Sequence, residues 1–266
     1  MKIIVIGGTG LLGSKIVSKL SASGCEAVAA SRSSGVDTMT GRGLADVLAR
    51  ASVVIDVSNS PTFEGAASLE FFERSTRNLL AAEGPAGVRH HVALSIVGAE
   101  RLAAYGYMHA KFAQEKLIKD DSIPYSIVHA TQFFESIQRI AGVASDGTTV
   151  RVPPVLVQPI AGDDVARILC EVSVSVPLCG TIEVAGPEQF RLHELMRRRL
   201  IARHDTRTVV DDPRARFFGA EVDDRSLLPG AGVRLAETRF EDWLSRSMER
   251  AYATLRPPMT RMAESI

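Results

Sequence analysis

The chain begins with a strand pattern that runs directly into a glycine-rich turn and then a helix. Residues 3–6 are apolar, residues 7–13 read Gly-Gly-Thr-Gly-Leu-Leu-Gly, and apolar side chains then recur at helical spacing to residue 20. The spacing of Gly7, Gly10 and Gly13 permits a tight turn and a close backbone approach to a pyrophosphate, whose charge the helix N-terminus would hold. We therefore predict a dinucleotide-binding unit; the alternative is a turn that serves the fold alone.

The alternation of strands and helices continues to residue 134. Apolar segments at 26–30, 36–39, 52–57, 88–97 and 123–130 predict further strands, and helical patterns lie between most of them. This order predicts an α/β fold, a Rossmann-type doubly wound parallel sheet with helices on both faces. After residue 134 proline-rich loops interrupt the pattern, and we expect the tail from residue 256 to be flexible.

The composition argues against several classes of function. Lys+Arg and Asp+Glu both number 31, so bulk charge attracts neither nucleic acid nor an anionic membrane. Cys25, Cys170 and Cys179 form no CxxC pair, which disfavours a zinc site or a disulfide scaffold and favours a reducing cytoplasm. No apolar run is long enough to span a bilayer. We expect a cytoplasmic protein with a small-molecule substrate and with neither nucleic acid nor membrane as a partner.

Two runs of titratable residues have ordinary structural interpretations. His90 and His91 are adjacent on a predicted strand, so they face opposite sides, at most one faces the core, and they cannot chelate a metal together. Arg197, Arg198 and Arg199 lie on a predicted helix with acidic neighbours, which favours a solvated face over a nucleic-acid site. We expect no metal site.

Polar residues follow two predicted strands at the edge where a ligand would lie. A carboxylate ends the second strand in NAD-selective sites, whereas this chain has Ser31, Arg32 and Ser33 there. A guanidinium with neighbouring hydroxyls suits a 2′-phosphate, which favours NADP; the alternative is an exposed loop arginine. Ser58 and Asn59 follow the 52–57 strand and either contact the cofactor or stabilise the turn.

Ser95, Tyr107 and Lys111 are the candidate catalytic residues. Tyr107 and Lys111 are four residues apart on a predicted helix and hence on one face, and Ser95 lies near the end of the preceding strand. Carbonyl reduction needs a proton on oxygen, and a lysine ammonium would lower the phenol pKa from about 10 while a serine hydroxyl polarises the carbonyl. The alternative is a surface lysine paired with acids and a tyrosine packed on a lid.

These motifs resemble the atypical short-chain dehydrogenase/reductase group, on its NmrA-like side. The resemblance rests on residues 7–13, 94–98, 107–115 and 127–134, and continues more weakly at 159–166 and 184–187. It implies a Rossmann domain over 1–134, a smaller C-terminal substrate domain over 135–255, and a segment at 157–170 that returns to the Rossmann part. It also implies that Tyr107 and Lys111 are catalytic and that the pyrophosphate is held by Gly7, Thr9, Gly10, Leu11, Leu12 and Gly13.

The sequence therefore predicts an NADP-dependent oxidoreductase that transfers hydride to a carbonyl or quinone. Tyr107 would be the general acid, Lys111 its activator and a ribose contact, and Ser95 the polarising group. The alternatives are a non-catalytic NADP-binding redox sensor that acts through a protein partner and, third, a nucleotide-sugar epimerase or dehydratase, for which the chain is short. His129 stands where related sequences usually carry Arg, which leaves the substrate open, and the sequence does not predict the oligomeric state.

Overall fold

The computed structural model describes residues 1–255, with side chains to residue 249. The predicted flexible tail at 256–266 lies outside the described residues. No helix within the described range is long and apolar enough to cross a membrane.

The described chain alternates between strands and helices over most of its length. The elements are β1 (Lys2–Ile6), α1 (Leu11–Ala22), β2 (Glu26–Ala30), α2 (Leu44–Leu48), β3 (Val53–Asp56), α3 (Gly65–Ala86), β4 (His90–Ile96), α4 (Gly106–Lys119), β5 (Tyr125–Ala130), α5 (Ile137–Val143), β6 (Thr149–Val152), β7 (Leu156–Val157), α6 (Gly162–Val174), β8 (Gly180–Ala185), β9 (Phe190–Arg191), α7 (Leu192–Ala202), β10 (Thr208–Asp211), β11 (Arg234–Leu235) and α8 (Phe240–Leu255).

Seven parallel strands form the main sheet in the order β11-β8-β5-β4-β3-β1-β2. The chain starts at β1, moves outward to β2, and then returns past β1 to β3, β4 and β5. The strand order thus reverses between β1 and β3, and in open α/β sheets ligands bind beside such a reversal. The predicted α/β, doubly wound parallel sheet is confirmed.

The first strand shows why both faces of this sheet are covered. Side chains alternate along a strand, so Ile3 and Val5 pack with α1 and α6 on one face, whereas Ile4 and Ile6 pack with α2 and α3 on the other. Burial on both faces explains why the sequence of β1 is a continuous hydrophobic run.

The predicted strand at 36–39 is wrong. Asp37 makes only a single antiparallel bridge to Arg42, and its carboxylate accepts a hydrogen bond of 2.9 Å from the backbone N–H of Met39. Gly41 and Gly43 have φ angles of 77° and 76°, which turn the chain back on itself instead of extending it.

Both adjacent histidines of β4 are buried, so the expectation that at most one faces the core is also wrong. His90 is 3% exposed and His91 is 0% exposed, because helices cover both faces of the sheet. His90 Nε2 lies 2.8 Å from Ser126 Oγ, and burial lowers the pKa of His90 to about 4. On the opposite face, His91 Nδ1 lies 2.9 Å from Glu83 Oε1.

The second half of the chain is interleaved with the first. Strands β8 and β11 fall within the range 135–255, yet they extend the main sheet beyond β5, and α6 packs on α1. A separate apolar core joins α5, α7 and α8 to β6 and β10. Residues 135–255 thus contribute to both the sheet and this second core, and the division of the chain into two domains stays a prediction.

The arginine run on α7 is not a uniformly solvated face. Arg198 pairs with Glu241 at the surface, but Arg199 is 4% exposed and its guanidinium carbon lies 4.8 Å from the Trp243 ring centroid. The expectation of a solvated helix face is therefore wrong for Arg199, which α8 covers.

Candidate functional site

A cavity of about 710 Å³ runs along the carboxyl ends of β2, β1, β3, β4 and β5. The strand ends and the loops that follow them supply most of its lining. It brings together every residue that the sequence singled out as a site residue, namely Gly7, Thr9, Gly10, Leu11, Leu12, Gly13, Ser31, Arg32, Ser33, Ser58, Asn59, Ser95, Tyr107 and Lys111. Among the described residues, no Asp or Glu belongs to the lining, whereas two arginines and one lysine do. The cavity is therefore suited to an anionic ligand.

The glycine turn leaves the start of α1 open to this cavity. Gly7 has a φ of 77°, and a Cβ atom on Gly13 would lie only 2.2 Å from the Gly7 carbonyl oxygen. Gly13 thus allows α1 to pack directly on the turn. Gly10 caps α1 without a side-chain hydrogen bond, and the first turn carries no acidic residue. The free N–H groups and the helix dipole fit a phosphate at this position.

Arg32 lies at the β2 end of the cavity, in a short turn of hydroxyl residues. Ser31 Oγ lies 2.8 Å from Ser33 Oγ, and Ser34 Oγ accepts a hydrogen bond of 2.9 Å from the Ser31 N–H. The Arg32 side chain is 65% exposed, and its Nε lies 3.6 Å from Asp37 Oδ2. Surface ion pairs of this kind contribute at most about 1 kcal/mol, so a phosphate could compete for the guanidinium.

Tyr107 lies among aromatic rings at the other end of the cavity. Its hydroxyl donates a hydrogen bond of 2.8 Å to Asn59 Oδ1, and the centroids of Phe63 and Phe72 lie 5.2 and 5.8 Å from that of its ring. Burial raises the pKa of Tyr107 above its ordinary value, and the charge that opposes this effect belongs to Arg139. The activation of Tyr107 by Lys111 stays a prediction, and Arg139 is a further cation that acts on Tyr107.

Lys111 lines the cavity, and its ammonium group is hydrogen-bonded to other groups of the protein. Its Nζ donates to the Leu94 carbonyl oxygen at 2.9 Å and to Gln114 Oε1, and it lies 4.4 Å from the Phe72 ring centroid. Gln114 in turn donates to Asp56 Oδ2 at 3.0 Å. Burial lowers the pKa of Lys111 to about 8, although acidic groups behind the site oppose this effect.

Ser95 is tied to a buried carboxylate. Its hydroxyl donates to Glu115 Oε1 at 2.5 Å, and the same oxygen lies 2.9 Å from His129 Nε2, while Lys119 Nζ lies 3.2 Å from the other oxygen. Burial would raise the pKa of Glu115, but its contacts with His129, Ser95 and Lys119 lower it below the ordinary value. The Ser95 hydroxyl hydrogen is thus already in use, and the oxygen offers the cavity an acceptor. A polarising role would require this hydroxyl to turn away from Glu115.

Several residues at the Tyr107 end were missed by sequence reasoning, among them Phe63, Arg139, Phe217 and Phe218. Arg139 and Ile140 are on α5 and both line the cavity, and the Arg139 guanidinium carbon lies 4.2 Å from the Phe63 ring centroid. The Phe63 and Phe218 centroids are 4.5 Å apart. Only the helical spacing of Ser136, Arg139 and Ile140 after β5 could have indicated this wall from the sequence.

No protein-family model and no curated protein matches the sequence. MoeE5, solved in complex with UDP-glucose and NAD, matches 96% of this chain and 100% of its own, at 18% identity and a TM-score of 0.72. A short-chain dehydrogenase/reductase superfamily protein from Agrobacterium tumefaciens, with bound NAD, matches 96% of this chain and 98% of its own, at 14% identity and a TM-score of 0.67. An NADPH-dependent quinone oxidoreductase from Escherichia coli matches 79% and 78%, at 17% identity and a TM-score of 0.57.

These matches bear on two expectations. MoeE5 aligns over its full length with 96% of this chain, so the two chains are similar in size and the length of this chain does not set it apart. None of these three structures is described as NmrA-like, so that part of the resemblance stays a prediction. The chain has the fold of the short-chain dehydrogenase/reductase superfamily.

Proposed function

We propose that the protein is an NADP-dependent oxidoreductase that transfers hydride between the nicotinamide and a carbonyl or quinone. The observation that carries this proposal is one cavity that joins the open N-terminus of α1, Arg32 and the group of Ser95, Tyr107 and Lys111. The likeness to structures whose descriptions name NAD, or NADPH-dependent quinone reduction, supports it.

The strand order sets the direction in which the cofactor would lie. The turn after β1 would hold the pyrophosphate, and Arg32 with Ser31 and Ser33 after β2 would hold a 2′-phosphate. The nicotinamide would then lie over the ends of β4 and β5, on the other side of the turn. The Lys111 ammonium group donates two of its three N–H groups to protein acceptors. The third would donate to a ribose hydroxyl. When bound, the cofactor supplies the hydride.

Tyr107 is the group best placed to supply the proton. Because burial raises its pKa, the phenol stays protonated near neutral pH, and Asn59 holds its hydroxyl in the cavity. Turning from Asn59 to a substrate oxygen would place the proton where negative charge develops. The phenolate left behind would be stabilised by the positive charge of Arg139, and solvent would restore the proton.

The test measures NADPH oxidation, by the loss of NADPH absorbance, with a panel of quinones and aldehydes. The wild type, Tyr107→Phe and Tyr105→Phe are compared. Loss of a general acid lowers the rate by about 10²–10⁴-fold, so we expect Tyr107→Phe to lose kcat and to keep its affinity for NADPH. Tyr105 immediately precedes α4, does not line this cavity, and should tolerate the same change. Tight NADPH binding without turnover by any of the three proteins would instead favour the redox-sensor function.

A nucleotide-sugar epimerase or dehydratase is the second candidate. The full-length match to MoeE5, solved with UDP-glucose and NAD, favours it. Incubating the protein with UDP-glucose and NADP⁺, with NMR of the sugar, separates the two: an epimerase changes the sugar without net change in the cofactor, whereas the oxidoreductase proposed above leaves UDP-glucose unaltered.

A further inference from the structure

The end of the cavity near Tyr107 is lined by different kinds of residue from the glycine-turn end. Its walls are formed by Pro61, Phe63, Ile140, Phe217 and Phe218, which are apolar and mostly aromatic. Arg139 is the cation at this end and lies against the Phe63 ring. The end of the cavity near Tyr107 thus combines flat apolar surfaces with the positive charge of Arg139.

Arg139 and the glycine turn follow different strands of the sheet. Arg139 follows β5, whereas the turn follows β1, and β3 and β4 lie between these strands. Three strand spacings of about 4.8 Å place the two strand ends about 14 Å apart. Arg139 therefore belongs to the part of the cavity that extends beyond the pyrophosphate position.

The charge of Arg139 is not neutralised within the described part of the protein. There the Arg139 guanidinium contacts the Phe63 ring and acts electrostatically on Tyr107, and no carboxylate forms an ion pair with it. By contrast, Arg32 has Asp37 close by, and Lys111 is held by Gln114. An exposed guanidinium beside a cavity that lacks acidic lining residues is ready to bind an anion bidentately.

The aromatic wall is held in one arrangement. Phe218 has a φ of 49° and Gly219 a φ of 84°, so the backbone is in the left-handed region at both positions. This unusual conformation directs the Phe218 ring against Phe63, while the Tyr107 ring meets Phe63 edge-on at 73°. Flat aromatic rings in the lining of a cavity favour a planar ligand.

We infer that the substrate is a planar, conjugated carbonyl compound that carries an anionic substituent, with Arg139 as the residue that binds the anion. Phe63 and Phe218 pack against the planar part, and the Tyr107 hydroxyl meets the carbonyl oxygen. The inference rests on the proposed oxidoreductase function. For an aldehyde, hydride from NADPH reaches the carbonyl carbon and the Tyr107 proton reaches the oxygen, which yields the alcohol and NADP⁺; a proton from solvent then restores Tyr107.

The experiment compares 4-carboxybenzaldehyde with 4-methylbenzaldehyde, which have similar shapes but differ in charge. We expect kcat/KM of the wild type to be at least about tenfold higher for the carboxylate, as a hydrogen bond to a charged group implies. Arg139→Gln should lower this ratio at least about tenfold, whereas Arg139→Lys should keep part of the preference. Arg74→Gln, an exposed arginine on α3 away from the cavity, is the matched control and should keep the whole preference.

Binding separates a failure of this inference from a failure of the proposed function. The same two aldehydes are titrated into the NADP⁺ complex, which has no hydride to give, and ligand NMR signals report the dissociation constants. A carboxylate preference in binding that Arg139→Gln abolishes, without turnover by the wild type, supports the anion site and contradicts the oxidoreductase. Two results would overturn the inference. One is an active wild type that has the same kcat/KM for both aldehydes. The other is an Arg139→Gln protein whose affinity for NADPH falls by as much as its affinity for 4-carboxybenzaldehyde.

Discussion

Replacing Gly13 by alanine tests the contact on which the opening turn depends. The added Cβ would lie 2.2 Å from the Gly7 carbonyl oxygen and 2.6 Å from the Gly8 Cα, whereas ordinary contact begins at 3.4 Å. The helix α1 and the turn would have to separate by about 1.2 Å, the difference between 3.4 and 2.2 Å. Both atoms belong to the backbone, so no change of rotamer relieves the clash.

Two losses should follow from Gly13→Ala. Overpacking of this kind costs about 1–3 kcal/mol, and each kcal/mol lowers the Tm of a chain of this size by about 2–4 °C. The displaced N–H groups of α1 would also lose hydrogen bonds to the phosphate, and one such bond to a charged group contributes about 1.5–3 kcal/mol. We therefore expect the Kd for NADPH to rise at least about tenfold.

Gly84→Ala in α3 is the matched control for the two measurements, thermal unfolding and fluorescence titration with NADPH. Nothing lies within 4 Å of a Cβ at Gly84, and alanine favours a helix by about 1 kcal/mol over glycine. This variant should keep the Kd and keep or raise the Tm. A Gly13→Ala protein that melts and binds NADPH like the wild type would refute the proposed close packing of α1 on the turn.

Two further predictions concern charge. Arg32→Ala should raise the Kd for NADPH at least about tenfold and leave that for NADH within about twofold; equal effects on both would show that Arg32 does not bind the 2′-phosphate. Burial lowers the pKa of His91, but Glu83, with smaller contributions from Asp56 and Asp121, raises it above 6.5 overall. The ion pair of His91 and Glu83 therefore contributes most below about pH 6.5 and loses this contribution as the pH rises through the folded-state pKa. Glu83→Gln should cost about 3–5 kcal/mol at about pH 5.5 and less at about pH 8.5, as measured by urea unfolding, and an equal cost at both would contradict the assignment of charge to His91.

Local signals account for the parts of the fold that the sequence predicted well. The strand, glycine turn and helix that begin the chain are neighbours in sequence, so the spacing of Gly7, Gly10 and Gly13 carries their geometry. The helical spacing of Tyr107 and Lys111 likewise places both on the cavity. Two of their hydrogen-bond partners, Asn59 and the Leu94 carbonyl oxygen, are set by tertiary packing, which no spacing on α4 could show.

Burial by distant elements explains the main failures. Adjacent histidines on a strand do face opposite sides, but helices cover both sides of β4, so both are buried. Arg199 lies under α8, which follows it by some forty residues in the chain. The wall of Phe63 and Phe218 joins two loops that are far apart in sequence, and neither loop carries a periodic pattern that would predict their contact.

The strand order also has a consequence for how the protein is made. The residues of the glycine turn, Arg32 and Tyr107 leave the ribosome well before Arg139 and Phe218 do. During this interval β5 has no neighbour on its outer side, because β8, which pairs with it, begins some fifty residues after β5 ends. A growing chain therefore passes through a stage with one end of the cavity complete and an open strand edge at the other, which is the kind of edge that invites pairing with another chain. The arrival of β8 closes that edge, before Phe218 completes the aromatic wall that began with Phe63.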